Sequence, residues 1–312
     1  MHGTPEIPMY AAGDLVPLGR TGLTVSRLGL GLAPIGGMFE AVPPERAAAT
    51  VERAWELGVR LYDTAPVYGY GRSETRTGAV LRGRPRAAYV LCTKVGRLIE
   101  PGGPDTQDIW ADPPPGLGPR LDYSAAAVRR SLEESLERLG LDRVDVLHIH
   151  DPDEDYPTAL GEAYRALAEL RDAGTVGAVS LGVNHADVAA RFLREAPAPG
   201  PDCVLIAGRW TLLDRSALTE LLPLCAARGT AVMAAGVVTP GLRAGEIEAV
   251  RAACDRHGVP VLAAALQFPL THPAVATVLV GARSPEEIER NAAHLAHPIP
   301  PALWEELDAV LP

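Results

Sequence analysis

Four residues of this chain are of types and spacings that do chemistry together: Asp63, Tyr68, Lys94 and His150. Asp63 and Tyr68 stand in Leu61-Tyr62-Asp63-Thr64-Ala65-Pro66-Val67-Tyr68-Gly69-Tyr70-Gly71, where an apolar run gives way to a glycine-rich loop. Lys94 closes Cys92-Thr93-Lys94, and His150 closes Leu147-His148-Ile149-His150, ahead of Asp151-Pro152. A phenol has an ordinary pKa of about 10, too high for ready proton exchange near neutrality. A neighbouring ammonium favours the phenolate and lowers that value. Lys94 is suited to supply the charge, Asp63 to hold Lys94 by an ion pair, and His150 to orient a substrate oxygen. A proton donor or acceptor at an oxygen, with a hydride carrier at its carbon, interconverts a carbonyl and an alcohol. Each residue also has an ordinary structural reading: a turn cap, a half-buried aromatic, a surface lysine, a packed histidine like His148. What sets the group apart is that each leaves the end of an apolar strand.

Those strands must be brought together by the fold. Short apolar runs alternate with amphipathic helices. Strands are expected at Leu28–Leu32, Val59–Tyr62, Tyr89–Thr93, Val144–Ile149, Val176–Val183, Cys203–Ala207, Ala231–Ala235 and Val278–Val280. The intervening helices include one from Ser124, a good N-cap, with Val128, Leu132, Leu136 and Leu139 on one stripe and Gly140 as its stop. Eight strand–helix units in regular succession point to a (β/α)8 TIM barrel rather than an open doubly wound sheet. Leu15-Val16-Pro17-Leu18 and Leu23-Thr24-Val25 flank Thr21-Gly22, which suggests an N-terminal β-hairpin across the barrel floor. A last helix, Ala302–Leu311, closes the chain, and residues 1–312 read as a single domain. One connection is unusual. Residues 95–123 are rich in Pro, Gly and Asp and include Trp110. A loop of that length is expected to rise over the site as a substrate cover.

The remaining composition excludes several functions. A net charge of −10 argues against a nucleic-acid or anionic-membrane partner. No apolar run approaches the ~18 residues of a spanning helix. Met1 to Asp14 lacks the basic and apolar segments of a secretory signal. Cys92, Cys203, Cys225 and Cys254 show no metal-type spacing, so reduced, buried thiols, a cytoplasmic protein and no metal are expected.

The segment from Arg60 to Glu74, with Asp63-Thr64-Ala65, Tyr68-Gly69 and Ser73-Glu74, resembles the signatures of the aldo-keto reductases, as do Thr93-Lys94 and His150-Asp151-Pro152. The likeness runs from Val16 to Asn291. It implies a (β/α)8 barrel that uses NAD or NADP without metal, with Tyr68 as general acid/base, Lys94 and Asp63 as its tuners, and His150 orienting the substrate. His150-Asp151-Pro152-Asp153, Ser180 to Asn184 and Ala207 to Leu213 are most similar to the aldose 1-dehydrogenase branch. That branch includes D-threo-aldose (L-fucose) and pyridoxal dehydrogenases, which oxidise a hemiacetal or aldehyde equivalent. The implied activity is hydride transfer between a small carbonyl or sugar and a nicotinamide cofactor. The alternatives are an NADPH-dependent carbonyl reductase of a biosynthetic pathway and a non-catalytic cofactor-binding regulatory subunit.

By the same resemblance, Asn184 binds the nicotinamide carboxamide, although Asn is equally suited to cap the helix that follows. Gly31, Gly236, Gly241, Leu242 and Gly281 line the cofactor, glycine allowing close backbone approach. Arg283 and Asn291 hold the adenosine end. Glu287 would repel a 2′-phosphate, which favours NAD, while Ser284-Pro285-Glu286-Glu287 also fits a capping box. Two departures from the family matter. A glutamine common on the sixth strand is replaced near Ala207, and the C-terminal tail is almost absent. Substrate choice is therefore expected to fall to the 95–123 segment, with Trp110, and to Trp210.

Overall fold

The computed structural model describes residues 9–238 and 244–311. Gly241 and Leu242, expected at the cofactor, lie outside them. The chain opens with an antiparallel hairpin, β1 (Leu15–Pro17) and β2 (Thr24–Ser26). There follow β3 (Leu28–Gly31), β4 (Leu61–Asp63), β5 (Val90–Val95), a second antiparallel pair β6 (Arg97–Pro101) and β7 (Leu117–Leu121), then β8 (Val146–His150), β9 (Ala178–Val183), β10 (Cys203–Ala207), β11 (Ala231–Ala235) and β12 (Val275–Gly281). Strands β3, β4, β5, β8, β9, β10, β11 and β12 pair in parallel in that order, and β12 returns to β3 to close the barrel.

Strand periodicity sorts the core into two parts. Leu28, Leu30, Tyr62, Leu91, Leu147, Ile149, Val179, Leu181, Val204 and Ile206 face outward onto the helices. Their alternating neighbours Leu61, Val90, Cys92, Val146, Ala178, Cys203 and Met233 fill the barrel interior. Leu18 and Val25 of the N-terminal hairpin join that inner cluster, so the hairpin plugs the floor. The helices end where the sequence punctuates them. Ser124 accepts the Ala127 N–H at the head of Ala125–Leu139, and Gly140 stops that helix in the left-handed conformation. The last helix spans Pro301–Val310. No helix among the described residues is long and apolar enough to cross a membrane. All four cysteines are buried and free.

The 95–123 connection is more ordered than a covering loop. Strands β6 and β7 pair from Arg97↔Leu121 to Pro101↔Leu117, forming a ribbon over the C-terminal mouth. Proline and glycine conceal these strands in the sequence, since Pro119 lacks a donor yet still sits opposite Ile99. The tip is stitched to the barrel: Phe39 N–H donates to Ile109 O at 2.7 Å, Ala111 N–H to Gly37 O at 2.8 Å, and Arg72 to the Ala111 and Asp112 carbonyls.

Candidate active site

The loop carrying Tyr68 is fixed from below and from the side. At Gly69 the backbone takes φ +62°, and a Cβ there would overlap the Gly36 carbonyl. Only glycine lets the loop press this closely against the turn after β3. The Ser73 hydroxyl donates to Leu32 O and meets the Thr64 hydroxyl, both at 2.8 Å, tying the loop to two barrel strands. Beneath it the fully buried Glu74 accepts from Thr93 Oγ1 and from Arg138 Nε, each at 2.6 Å. Tyr68 is thus held half-buried, with its ring facing the mouth.

Asp63 ends β4 and Lys94 stands on β5, and both side chains point into the barrel. Lys94 Nζ donates to Asp63 Oδ2 at 2.6 Å and to Thr64 O at 2.8 Å, and it lies 4.8 Å from the Tyr68 ring centroid. Burial disfavours both charges, but each partner more than offsets that. The Asp63 carboxyl is held below its usual range and the Lys94 ammonium above its own. The pair is therefore charged across the physiological range. Lys94 acts on Tyr68 in the expected direction, lowering the phenol, but burial raises it by more, so the net shift is upward.

His150 closes β8 with its ring edge-on to Tyr68, centroids 6.0 Å apart. Burial, then the Lys94 and Arg97 charges, push its pKa well down, so the imidazole is neutral and suited to hydrogen-bond a substrate oxygen. The next residue organises the rim. Asp151 Oδ1 accepts from Asn184 Nδ2 at 3.0 Å, and Oδ2 accepts from Arg97 at 3.2 Å. Asn184 therefore does not cap a helix. His185 occupies the N-cap of Ala186–Glu195 and makes no side-chain cap. With its amide N–H directed to Asp151, Asn184 presents its carbonyl oxygen from an exposed position, as a carboxamide ligand requires.

Trp110 reaches the site as expected. Its ring lies 5.6 Å from that of Tyr68, tilted by 38°, and its indole N–H is held by Gln107 Oε1 at 2.8 Å. Trp210 does not. It stacks on Phe268 at 4.7 Å and lies edge-on to His272, and it donates to Pro269 O at 3.1 Å. Among the described residues its ring contacts stay within this packing layer.

At the other side of the mouth, Gly236, Gly281 and Asn291 line one cavity of about 280 Å³ with Val237, Leu262 and Leu279. Gly31 closes β3 beside Gly281 and Asp63. The absent Gly281 side chain also makes room for the Pro34 ring. Arg283 Nε is buried, and among the described residues it has no hydrogen bond; its closest carboxylate, on Glu40, is 3.9 Å away. An unpaired guanidinium nitrogen beside a glycine-lined cavity, next to the helix Pro285–Leu295, fits the phosphate-bearing end of a dinucleotide. Glu287 is engaged in the turn: its Oε2 accepts the Arg283 backbone N–H at 2.8 Å, while Ser284 Oγ accepts the Glu287 N–H. The capping-box reading thus holds with the carboxylate one residue further back.

Sequence reasoning assigned no role to Arg97, Tyr123, Asp151 or His148. Tyr123 donates its hydroxyl to the His150 and Asp151 carbonyls and so fixes the end of β8. A signal for His148 was present: strand alternation puts it on the same inward face as His150.

The sequence model of the aldo/keto reductase family matches residues 27–312. The chain is 40% identical to the D-threo-aldose 1-dehydrogenase of a Pseudomonas species over 92% of its own length and 94% of the relative. It is also 40% identical to the pyridoxal 4-dehydrogenase of Microbacterium luteolum, over 95% of this chain and 97% of that one. An aldo-keto reductase structure from Bacillus halodurans superposes with a TM-score of 0.75 over 96% of both chains at 23% identity, a likeness of fold.

Proposed function

This chain belongs to the aldo/keto reductase family and is an NAD(P)-dependent oxidoreductase, and from that premise we propose that it oxidises the hemiacetal carbon of a small aldose, or an equivalent aldehyde, with NAD+. The observation that carries the reading is the Tyr68 phenol set between the buried Lys94–Asp63 pair and the Trp110 ring. The two relatives named for aldose and pyridoxal dehydrogenation support an aldehyde-level carbon as the reacting centre.

When bound, the nicotinamide ring takes the hydride. The chain's own residues manage the oxygen. Neutral His150 donates to the hemiacetal hydroxyl and aims it at Tyr68. As the C–H bond gives up its hydride, the O–H proton passes to the Tyr68 phenolate, and a carbonyl forms. Lys94 stabilises the phenolate before transfer, and Asp63 keeps Lys94 charged. Asn184 offers its carbonyl oxygen to the carboxamide, and Arg283 with Asn291 holds the distant end. NAD+ rather than NADP+ is favoured because Glu287, held at the Arg283 backbone N–H, and Glu40, 3.9 Å from the Arg283 side chain, put two carboxylates near the group that would take a 2′-phosphate.

A second reading, reduction of a carbonyl with NADPH, has one observation in its favour: burial keeps Tyr68 protonated, the form that gives a proton to an alkoxide. Initial rates on aldoses, pyridoxal and aromatic aldehydes, with each cofactor in each direction, separate the two. Aldose or pyridoxal oxidation with NAD+ is expected. Reduction by NADPH with no oxidation of any panel member overturns the first reading. Tyr68→Phe is expected to abolish turnover and leave cofactor fluorescence quenching intact; near-normal rates refute the role of Tyr68.

A further inference from the structure

One buried polar group lies directly beneath the reacting residues and has no part in the reaction just described. His148 is fully buried, and among the described residues neither ring nitrogen makes a well-aligned hydrogen bond, although Asp63 and the Leu181 backbone both lie close enough to act on the ring. Asp63 Oδ1 is buried and unpaired as well. The two face each other: His148 Nε2 lies 3.2 Å from Asp63 Oδ1, at hydrogen-bonding distance but with the ring off the line of the oxygen. Buried polar atoms that lack partners call for a reason beyond packing. Packing alone does not ask for histidine here, since the neighbouring inward positions are filled by Val146, Ala178 and Cys203.

The surroundings limit what His148 does. Asp63 faces it from β4, Cys92 and Lys94 from β5, Ser180 from β9, and His150 stands one inward step above it on β8. Gly182 carries no side chain, and a Cβ there would touch both Lys94 and His148. The ligand atoms of Asp63, Cys92 and His148 lie within 4.8 Å of one another, yet the set suits a cation poorly. Lys94 already places a positive charge 2.6 Å from Asp63, and burial, reinforced by Asp63, keeps the Cys92 thiol protonated.

We propose that His148 is a positioning residue for proton transfer at Tyr68: its Nε2–H donates to Asp63 Oδ1 and steadies the carboxylate when the Lys94 ammonium turns toward the phenolate. The inference rests on the Tyr68 reading above. Two of the hydrogen bonds open to Lys94 go to Asp63 Oδ2 and Thr64 O. The third is directed to the Tyr68 oxygen. When Tyr68 is a phenolate, the ammonium is shared, and Asp63 needs a second donor. His148 provides it without losing a proton, because burial holds the imidazole neutral against the opposing pull of Asp63. Without that donor the carboxylate draws Lys94 to itself, and the phenolate is less stabilised.

Two measurements test this on the full-length protein. Ring nitrogen NMR shifts of His148 in the wild-type chain report its tautomer. A neutral Nε2–H form throughout the activity range is expected; an Nδ1–H tautomer or an imidazolium overturns the proposal. The second is a pH profile of kcat/KM for oxidation in His148→Leu and His148→Gln. Leucine is expected to move the acidic limb to higher pH by about one unit, the effect of a single hydrogen bond to a charged group. It is also expected to lower kcat about tenfold while KM stays unchanged. Glutamine keeps an N–H donor and is expected to restore much of both. A folded leucine variant with the wild-type profile refutes the role, as do equal effects of leucine and glutamine. If Tyr68→Phe keeps turnover, the Tyr68 reading fails, while the nitrogen shifts still decide the Asp63 contact.

Discussion

Lys94→Met separates what the buried ion pair does for stability from what it does for the reaction. The two side chains are 2% and 5% exposed, with Nζ and Oδ2 2.6 Å apart. At an effective dielectric of about 20, opposite unit charges at that distance attract by about 6 kcal/mol. Much of this is offset by removing both ions from water. Methionine takes away the attraction and leaves the desolvation of Asp63, so the single variant is expected to lose about 3–5 kcal/mol. Adding Asp63→Asn removes the stranded charge and is expected to restore most of the loss. Turnover does not return in the double variant, because Tyr68 has lost the group that offsets its burial. Urea unfolding by circular dichroism gives the stabilities, and kcat/KM gives the chemistry. A single variant as stable as wild type, or a double variant no more stable than the single, refutes the reasoning. The pair also has a pH signature. The lowered Asp63 pKa gives stability that is complete above its unfolded value of about 3.9 and lost as pH falls through the folded one. The raised Lys94 pKa gives stability that is complete below about 10.4 and lost as pH rises through its folded value.

Because burial raises the Tyr68 phenol, kcat/KM for oxidation is expected to climb with pH through the alkaline range and that for reduction to fall; a reduction rate that rises with pH contradicts the assignment. Glu287→Gln relieves the repulsion of a 2′-phosphate and is expected to improve kcat/KM with NADP+ about tenfold relative to NAD+, or about 1.4 kcal/mol. An unchanged ratio would leave Glu287 with its turn hydrogen bond alone. Gly69→Ala forces a side chain onto the Gly36 carbonyl at positive φ and shifts Tyr68. A displacement of about 1 Å is enough for roughly a hundredfold loss of kcat/KM, so steady-state rates with unchanged far-UV circular dichroism are the readout.

The barrel was legible because each strand is a short apolar run bounded by turn residues, and the four candidate residues were legible because they stand at or just beyond the ends of such runs. The ribbon at β6 and β7 was not, since its prolines and glycines are those of irregular chain. The burial that opposes Lys94 at Tyr68 was not legible either, for a related reason. A nearby lysine can be read from residue order, whereas the depth at which a phenol is buried arises from the whole fold. Trp210 and Trp110 were both expected at the substrate. Only the tertiary structure sends one into the packing of Phe268 and the other to the mouth. Asn184 shows another case, where one of two readings, the helix cap, is removed because His185 holds that position.

The β6–β7 ribbon enters and leaves the barrel at a single rung, Arg97 opposite Leu121. Its two ends meet whatever lies between them, so lengthening or replacing the distal part adds little closure entropy and does not strain β5 or the helix at Ala125. Arg97 itself must stay, because it anchors Asp151 and Glu154 at 3.2 and 3.1 Å. Beyond that rung only the arms of the ribbon are open to exchange. Residues 107–112 must be kept with Arg97, because Gln107 holds Trp110 against Tyr68 and Ile109 and Ala111 bond the backbone at Phe39 and Gly37.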